Sequence, residues 1–100
     1  MKYRINYSKV ISQANTILDN VDQLSKQINM LLQLEQECQS IWKGQSADIF
    51  LLKLRILRSE MNQTKSQMLN LASTIKYCAD KIQKEDQEAE RLASLLRLRQ

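Results

Sequence analysis

Residues 41–50 read Ile-Trp-Lys-Gly-Gln-Ser-Ala-Asp-Ile-Phe, and this stretch decides how the chain folds. It holds Gly44, the only glycine of the 100 residues, and the chain has no proline. Glycine readily adopts the left-handed backbone conformation that often ends a helix. Ser46, two residues further on, is a typical N-cap residue of a helix. The stretch therefore predicts two helices with a single break between them, a turn at about residues 43–46.

Apolar side chains recur at alternating steps of three and four on both sides of this turn. The spacing places them along one side of a helix and is typical of helices that pack lengthwise, so we call each row a seam. The first seam contains Tyr3, Tyr7, Val10, Ala14, Ile17, Val21, Leu24, Ile28, Leu31, Glu35, Cys38 and Trp42. The second contains Ala47, Phe50, Leu54, Leu57, Met61, Thr64, Met68, Leu71, Ile75, Cys78, Ile82, Glu85, Ala89, Leu92 and Leu96. The two seams predict an all-α chain with helices at about 7–42 and 47–97.

The seams also predict how the helices pair. If the chain folds back at Gly44, seam residues meet at a nearly constant sum of their residue numbers, so that Leu31 lies opposite Leu57. This agreement favours one antiparallel helical hairpin over residues 1–100, with Asn6 or Ser8 as the first N-cap. Residues 86–100 have no counterpart in the first helix and should project roughly 20 Å beyond it as a C-terminal overhang.

Several large apolar residues near the turn lie off the seams, and the apolar residues of the overhang, on the seam or beside it, have no counterpart in the first helix. A hairpin has no third helix to cover them, and exposed apolar surface of this kind usually marks an interface. The simplest partner is a second helical hairpin, which would complete a four-helix bundle as a homodimer or a heterodimer. The predicted partner interface comprises Met30, Leu34, Ile41, Ile49, Leu52, Ile56, Leu92, Leu95 and Leu96.

Composition argues against several other functions. The chain has no histidine, so a thiol nucleophile would lack its usual activating base and a metal its commonest ligand. We predict no enzyme activity, catalytic residue, metal or cofactor, and no small-molecule substrate. The net charge of +4 is interleaved along the chain, which argues against nucleic acid, and no apolar run is long enough for a membrane span. Residues 1–6 lead into no signal-peptide block, so any export should proceed without the general secretory signal.

Three groups of polar or reactive residues leave alternatives open. Cys38 and Cys78 fit small apolar seam residues better than a redox pair or a bridge between two chains. The polar seam residues Glu35, Thr64 and Glu85 would either set register and partner choice or be partly exposed. The basic side chains Lys53, Arg55 and Arg58 fit a solvated flank better than a phosphate or acidic-lipid site.

At the turn, Trp42 and Gly44 form a W-x-G tripeptide, which Ala47 and Phe50 extend to W-x-G-x-x-A-x-x-F. With the tripeptide at the middle of a short two-helix chain, the sequence resembles the WXG family, the ESAT-like helical hairpins of type VII secretion. The resemblance covers the whole chain in length and layout. It assigns the four residues to a turn motif that closes the end of the helix pair.

The resemblance implies that the chain is a type VII secretion substrate or an effector-targeting partner that acts by binding proteins. Its partners would be a second hairpin protein or a larger toxin, and the type VII secretion ATPase. It would lie in the cytoplasm before export from a Gram-positive bacterium, and afterwards be secreted or held at the cell surface. The alternative hypothesis is a cytoplasmic coiled-coil interaction module unrelated to secretion. This hypothesis predicts one continuous helix through Gly44.

The export signal of the family is typically Tyr-x-x-x-Asp/Glu on the second helix. Tyr77 does not fit this pattern, because Lys81 stands four residues after it. The better match is Ile82 with Asp86, in which isoleucine occupies the position of the tyrosine. The resemblance therefore implies a candidate export signal at Ile82 and Asp86, one that a partner would complete.

Overall fold

The computed structural model describes residues 6–99, and this range holds two α-helices, α1 (Tyr7–Ile41) and α2 (Gln45–Leu98). They fold back on each other into a rod of 85 × 16 × 15 Å. The Tyr7 hydroxyl donates a hydrogen bond to the Asp80 carboxylate, which ties the start of α1 to the distant part of α2. The predicted all-α antiparallel hairpin is confirmed, whereas its pairing into a four-helix bundle stays a prediction. A continuous helix through Gly44 is wrong. Tyr3 of the first seam lies outside the described residues.

The start of α1 is fixed by a side-chain cap. The Asn6 side-chain oxygen accepts a hydrogen bond from the Lys9 backbone N–H at 3.1 Å, which satisfies one of the free donors of the first helical turn. Asn6 rather than Ser8 is therefore the N-cap, since Ser8 already lies inside α1.

The turn between the helices depends on Gly44. Its φ of 116° and ψ of 175° belong to a backbone region that is accessible essentially only to glycine. Gly44 is itself the N-cap of α2, and its carbonyl accepts a hydrogen bond from the Asp48 N–H at 3.0 Å. The expectation that Ser46 caps α2 is wrong, because the glycine conformation starts the helix two residues earlier. Gly44 has the positive φ expected of a left-handed backbone, although its ψ of 175° differs from that of a left-handed helical residue.

The first seam faces α2 as predicted. Ala14, Val21, Ile28 and Glu35 are buried, and the seam residues between them are half-buried. Trp42 is the exception at the end of the row, because it follows the last residue of α1 and remains 43% exposed.

The prediction of which α2 residues face α1 is correct at every second residue of the second seam and wrong at the residues between them. Ala47 and Leu54 are buried, and Met61, Met68 and Ile75 are half-buried, as predicted. The intervening predictions each lie one residue too early: Phe50, Leu57, Thr64, Leu71, Cys78 and Glu85 are exposed, whereas Leu51, Arg58, Lys65, Ala72, Ala79 and Asp86 are buried or half-buried.

The physical reason for this shift is the composition of α2. Apolar residues lie on both sides of the row that contains Ala47, Leu54 and Met61. The spacing alone therefore cannot decide which of the two sides faces α1. Ala72 and Ala79 are 0% and 2% exposed, which indicates that α1 packs closely against these small side chains. The bulkier Leu71 beside them is left 52% exposed.

Beyond the contact of Tyr7 with Asp80, α2 continues for about another 18 residues. Ile82 of the predicted seam is exposed, and so is every residue of 87–99, which includes Ala89, Leu92 and Leu96. The C-terminal overhang predicted at residues 86–100 therefore comprises residues 87–99 in the described part of the chain. In the described range, neither helix is apolar over a stretch long enough to cross a membrane.

Candidate protein-binding surfaces

The turn motif forms a small cluster at the closed end of the hairpin. The rings of Trp42 and Phe50 lie 5.5 Å apart between centroids and are tilted by 45°, a favourable arrangement for an aromatic pair. Ala47, three residues before Phe50, is 1% exposed, as expected of a small side chain in the contact between the two helices. Because both rings remain more than a third exposed, the cluster closes the core and still presents aromatic surface.

A buried charge lies about two helical turns away from this cluster. Glu35 is 4% exposed, and its carboxylate accepts hydrogen bonds from Arg58 Nε at 2.6 Å and Nη2 at 3.1 Å. Arg55 adds a weaker ion pair at 3.5 Å between its Nε and the carboxylate. The hydrogen bonds from Arg58 hold the pKa of Glu35 below its ordinary value, against the opposing effect of burial.

Sequence reasoning missed this ion pair, since it assigned both arginines to a solvated flank. The ion pair favours the interpretation in which Glu35 sets the register of the helices over the one in which Glu35 is partly exposed. One signal for it was available. Glu35 is the only charged residue of the first seam, and the predicted register puts it opposite residues 53 and 54, beside Arg55 and about one helical turn from Arg58.

An open apolar groove runs along one side of the hairpin between α1 and α2. Its volume is about 570 Å³, and we call it the lateral groove. Met30 is 66% exposed and Leu34 40% exposed on its α1 wall, and Leu57 is 45% exposed on its α2 wall. The lining residues are Gln27, Met30, Leu31, Gln33, Leu34, Glu37, Leu57 and Met61. Leu31 of α1 and Leu57 of α2 both line the groove, in agreement with the predicted register.

The predicted partner-interface residues do not form one surface. Met30 and Leu34 line the lateral groove. Ile49, Leu52 and Ile56 are each at least half exposed, and their spacing puts them on the side of α2 that faces away from α1. We call these three residues the outer patch. Ile41 is 82% exposed at the last turn of α1.

The remaining three predicted interface residues belong to the C-terminal overhang. Leu92, Leu95 and Leu96 line a shallow hollow of about 550 Å³ on α2, together with Leu98 and Arg99. A single flat partner cannot cover the lateral groove, the outer patch and the overhang at once, because the first two lie on different sides of the hairpin.

The candidate export signal lies where α2 leaves α1 behind. Ile82 is 39% exposed and Asp86 is half-buried, one helical turn further on. The alternative tyrosine, Tyr77, is 67% exposed. The assignment of an export role to Ile82 and Asp86 stays a prediction.

The two cysteines differ in their surroundings, and neither is in a disulfide. Cys38 is half-buried on the first seam, whereas Cys78 is exposed, so its predicted place in the second seam is wrong. Among residues 6–99, no three histidine, cysteine, aspartate or glutamate side chains lie close enough together to hold a metal ion.

Comparison with known proteins adds the family. The model of the WXG100 family, described as proteins of 100 residues with WXG, matches residues 2–87. A search of curated proteins and a search of solved structures each found no match. The matched range covers most of the chain, and it includes α1, the turn motif and α2 up to the residue after Asp86. The chain therefore belongs to the WXG100 family, the small non-catalytic helical proteins of type VII secretion.

Proposed function

We propose that this chain acts in type VII secretion as an exported hairpin or as an effector-targeting partner that escorts a larger toxin. In either role its activity is protein binding, and the type VII secretion ATPase is the machinery it would meet. The observation that carries the proposal is the lateral groove of a WXG100 chain, whose apolar walls no third helix covers. A groove of this shape suits the apolar side of another helical hairpin.

The C-terminal overhang supports the proposed contact with the secretion machinery. Family members carry their export signal near the end of the second helix, and here α2 extends well past α1 with Ile82 and Asp86 at the junction. A freely projecting helix can be read by a receptor without unfolding the hairpin. We propose that the secretion machinery contacts this part of α2, while the groove holds the partner.

The test measures export and partner binding separately. The chain would be produced in a type VII-competent Gram-positive bacterium, and its secreted fraction and that of a co-expressed toxin would be followed by immunoblot. We expect Leu34→Asp, which places a charge in the groove, to abolish partner delivery. Asn29→Asp is the matched control, because it adds the same charge to an exposed position of the same helix outside the groove.

A chain truncated after Lys84 tests the overhang. It should keep partner binding and lose export, provided that circular dichroism shows the hairpin still folded. Export of the truncated chain at the wild-type level would refute the proposed contact of the overhang with the machinery. Normal delivery by Leu34→Asp would refute the role of the groove.

A further inference from the structure

The charge of α2 changes sign close to its end. Residues 85–90 carry four acidic side chains and no basic one, whereas residues 91–100 carry three arginines and no acidic side chain. We call residues 91–99 the basic tip. The match to the family model ends at residue 87, so the basic tip lies outside the part of the chain that this model describes.

The apolar part of the basic tip consists of leucines. Leu92, Leu95 and Leu96 have the spacing that puts side chains on one side of a helix. Together with Leu98 they line the hollow of about 550 Å³ on α2. The four side chains are between 47% and 82% exposed. The start of α1 lies beside Asp80, so α1 does not reach far enough along α2 to cover them.

The arginines surround these leucines. Arg99 borders the hollow itself. Arg97 donates a hydrogen bond to the Ser94 hydroxyl at 3.4 Å, and Arg91 forms an ion pair with Glu88. The long apolar stem of an arginine can stay at an apolar boundary while its charged group reaches into water or a layer of headgroups. Leucines on one side of a helix with arginines around them are typical of a helix that binds an anionic lipid surface.

We propose that the basic tip binds the surface of a membrane that contains anionic phospholipids. The leucines enter the boundary between headgroups and acyl chains, and Arg97 and Arg99 meet the lipid phosphates. This inference goes beyond the proposed function, because it assigns the end of α2 to lipid, whereas the secretion machinery contacts α2 at the junction with Ile82 and Asp86.

A second helix would fit the basic tip less well than a lipid surface. From Leu92 to Leu98 the helix rises by about 9 Å, which is less than two turns. Helices that pair lengthwise in a coiled coil usually do so over three or more heptads. A lipid surface accepts four leucines without a matching row of side chains, and its negative charge is complementary to the three arginines.

The acidic residues before the basic tip determine how the chain approaches the membrane. An anionic surface repels the carboxylates of residues 85–90, so the chain should meet the membrane with its tip and hold the rest of the rod away. Leu57 in the lateral groove lies about 60 Å along α2 from Leu98. The groove therefore stays clear of the lipid and open to a protein partner.

Vesicle sedimentation tests the proposal directly. The purified full-length chain would be mixed with vesicles of phosphatidylcholine alone, or of phosphatidylcholine with anionic phosphatidylglycerol. We expect binding only to the second kind, and weaker binding as the salt concentration rises, because salt screens the attraction. Binding to neither kind would overturn the proposal, and equal binding to both would overturn the role of the arginines.

Charge removal locates the attraction on α2. The double variant Arg97→Gln, Arg99→Gln should bind the anionic vesicles about thirtyfold more weakly. The control Lys81→Gln, Lys84→Gln removes the same charge from exposed positions of the same helix. Lys84 lies about 20 Å from Arg97, well beyond the Debye length of about 8 Å at physiological ionic strength, so the control should bind nearly as well as the wild type. Equal losses in both variants would show that only the net charge matters and would overturn the assignment to the tip.

The leucines have a matched control in the outer patch. Leu95→Gln, Leu96→Gln should weaken vesicle binding by more than about tenfold, because the apolar side chains that enter the lipid are lost. Ile49→Gln, Leu52→Gln makes the same change at two similarly exposed residues and should leave binding unchanged. A comparable loss in the outer-patch variant would overturn the assignment. Circular dichroism confirms that each variant is folded.

The single tryptophan reports the orientation of the bound chain. Trp42 lies at the turn, at the opposite end of α2 from the basic tip. Lipids with brominated acyl chains quench the fluorescence of a tryptophan that lies in the bilayer. They should not quench Trp42 in the wild-type chain, but should quench the variant Trp42→Phe, Leu96→Trp. Quenching of Trp42 would overturn the tip-first approach.

Vesicle binding and export are measured on different samples, so their failures are distinguishable. If the purified chain does not bind anionic vesicles, the lipid inference fails and the proposed secretion role is unaffected. If the chain binds them but is neither exported nor needed for the delivery of a toxin, the proposed function fails and the lipid inference stands.

Discussion

Glu35 of α1 and Arg58 of α2 are joined by two hydrogen bonds, at 2.6 and 3.1 Å, across the contact between the helices. The carboxylate is almost completely buried, whereas the arginine side chain is 29% exposed. The ion pair therefore joins a desolvated carboxylate to an arginine side chain that remains partly in water. The two-pronged geometry adds directional specificity to this contact, which favours the register of the hairpin in which it forms.

Replacing Arg58 by alanine should lower the thermal midpoint of unfolding, because Arg55 alone would be left to balance the buried carboxylate. The double variant Glu35→Leu, Arg58→Leu should recover most of the loss, since well-packed apolar residues often match or exceed a buried ion pair. Arg91→Ala, which removes the exposed pair with Glu88 on the overhang, is the control and should change little. Equal midpoints for Arg58→Ala and Arg91→Ala would contradict this account.

The same pair predicts a pH dependence of stability. Hydrogen bonding to Arg58 lowers the pKa of Glu35 in the folded chain. Its stabilising contribution should therefore be fully present above about pH 4.3, the pKa of a free glutamate, and be lost as the pH falls through the lowered value. Denaturant unfolding between pH 7 and pH 2 checks the sign. The Glu35→Gln variant should lose the part of the acid sensitivity that comes from this residue, and an unchanged profile would refute the assignment.

Two neighbouring residues of α2 test which side of the helix faces α1. Ala72 is completely buried, so Ala72→Leu should destabilise the hairpin by about 1–3 kcal/mol through overpacking. Leu71 is 52% exposed, and Leu71→Ala should change the free energy of unfolding by less than about 1 kcal/mol. The seam inferred from spacing alone predicts the opposite order, and urea titrations of the two variants decide between them.

These residues also show where sequence reasoning reaches its limit. The steps of three and four located both helices and the antiparallel pairing, because one apolar row per helix is enough to define them. The choice between Leu71 and Ala72 depends on how closely the helices approach, a property of the packed pair that neither residue reveals alone. The same holds for Arg58, whose inward position follows from its partner Glu35 on the other helix.

The candidate binding surfaces were predictable to a similar extent. Exposed apolar residues such as Met30 and Ile49 could be identified because they lie off the seams, and those of the overhang because they have no counterpart in α1. Their division between the lateral groove, the outer patch and the overhang required the orientation of α2 about its own axis. That orientation is what the one-residue shift of the second seam changes, and it places Leu57 in the groove wall instead of the core.

Any side chain at position 44 should destabilise the hairpin, although not through a steric clash. A Cβ atom built on Gly44 would meet nothing within 4 Å, so the penalty comes from the backbone conformation alone. We expect Gly44→Ala to destabilise the hairpin by about 1–3 kcal/mol, as for other residues forced into rare regions of φ and ψ. Ser46→Ala is the matched control in the same turn and should be nearly neutral, because Ser46 is not the N-cap. Chemical denaturation measures both, and a larger loss for Ser46→Ala would show that the serine caps the helix.

The junction of α2 with the overhang gives the final prediction, which concerns export. If Ile82 and Asp86 form an incomplete version of the family signal, Asp86→Asn should strongly reduce secretion, because the carboxylate is the one element of the signal that the chain retains. Ile82→Tyr supplies the missing aromatic ring at an exposed position and should raise secretion in the absence of a partner. Glu85→Gln removes the adjacent exposed charge and serves as the control. Secretion would be quantified as the ratio of extracellular to cellular protein, with circular dichroism to confirm folding. Wild-type secretion of Asp86→Asn, together with no gain from Ile82→Tyr, would place the signal on the partner.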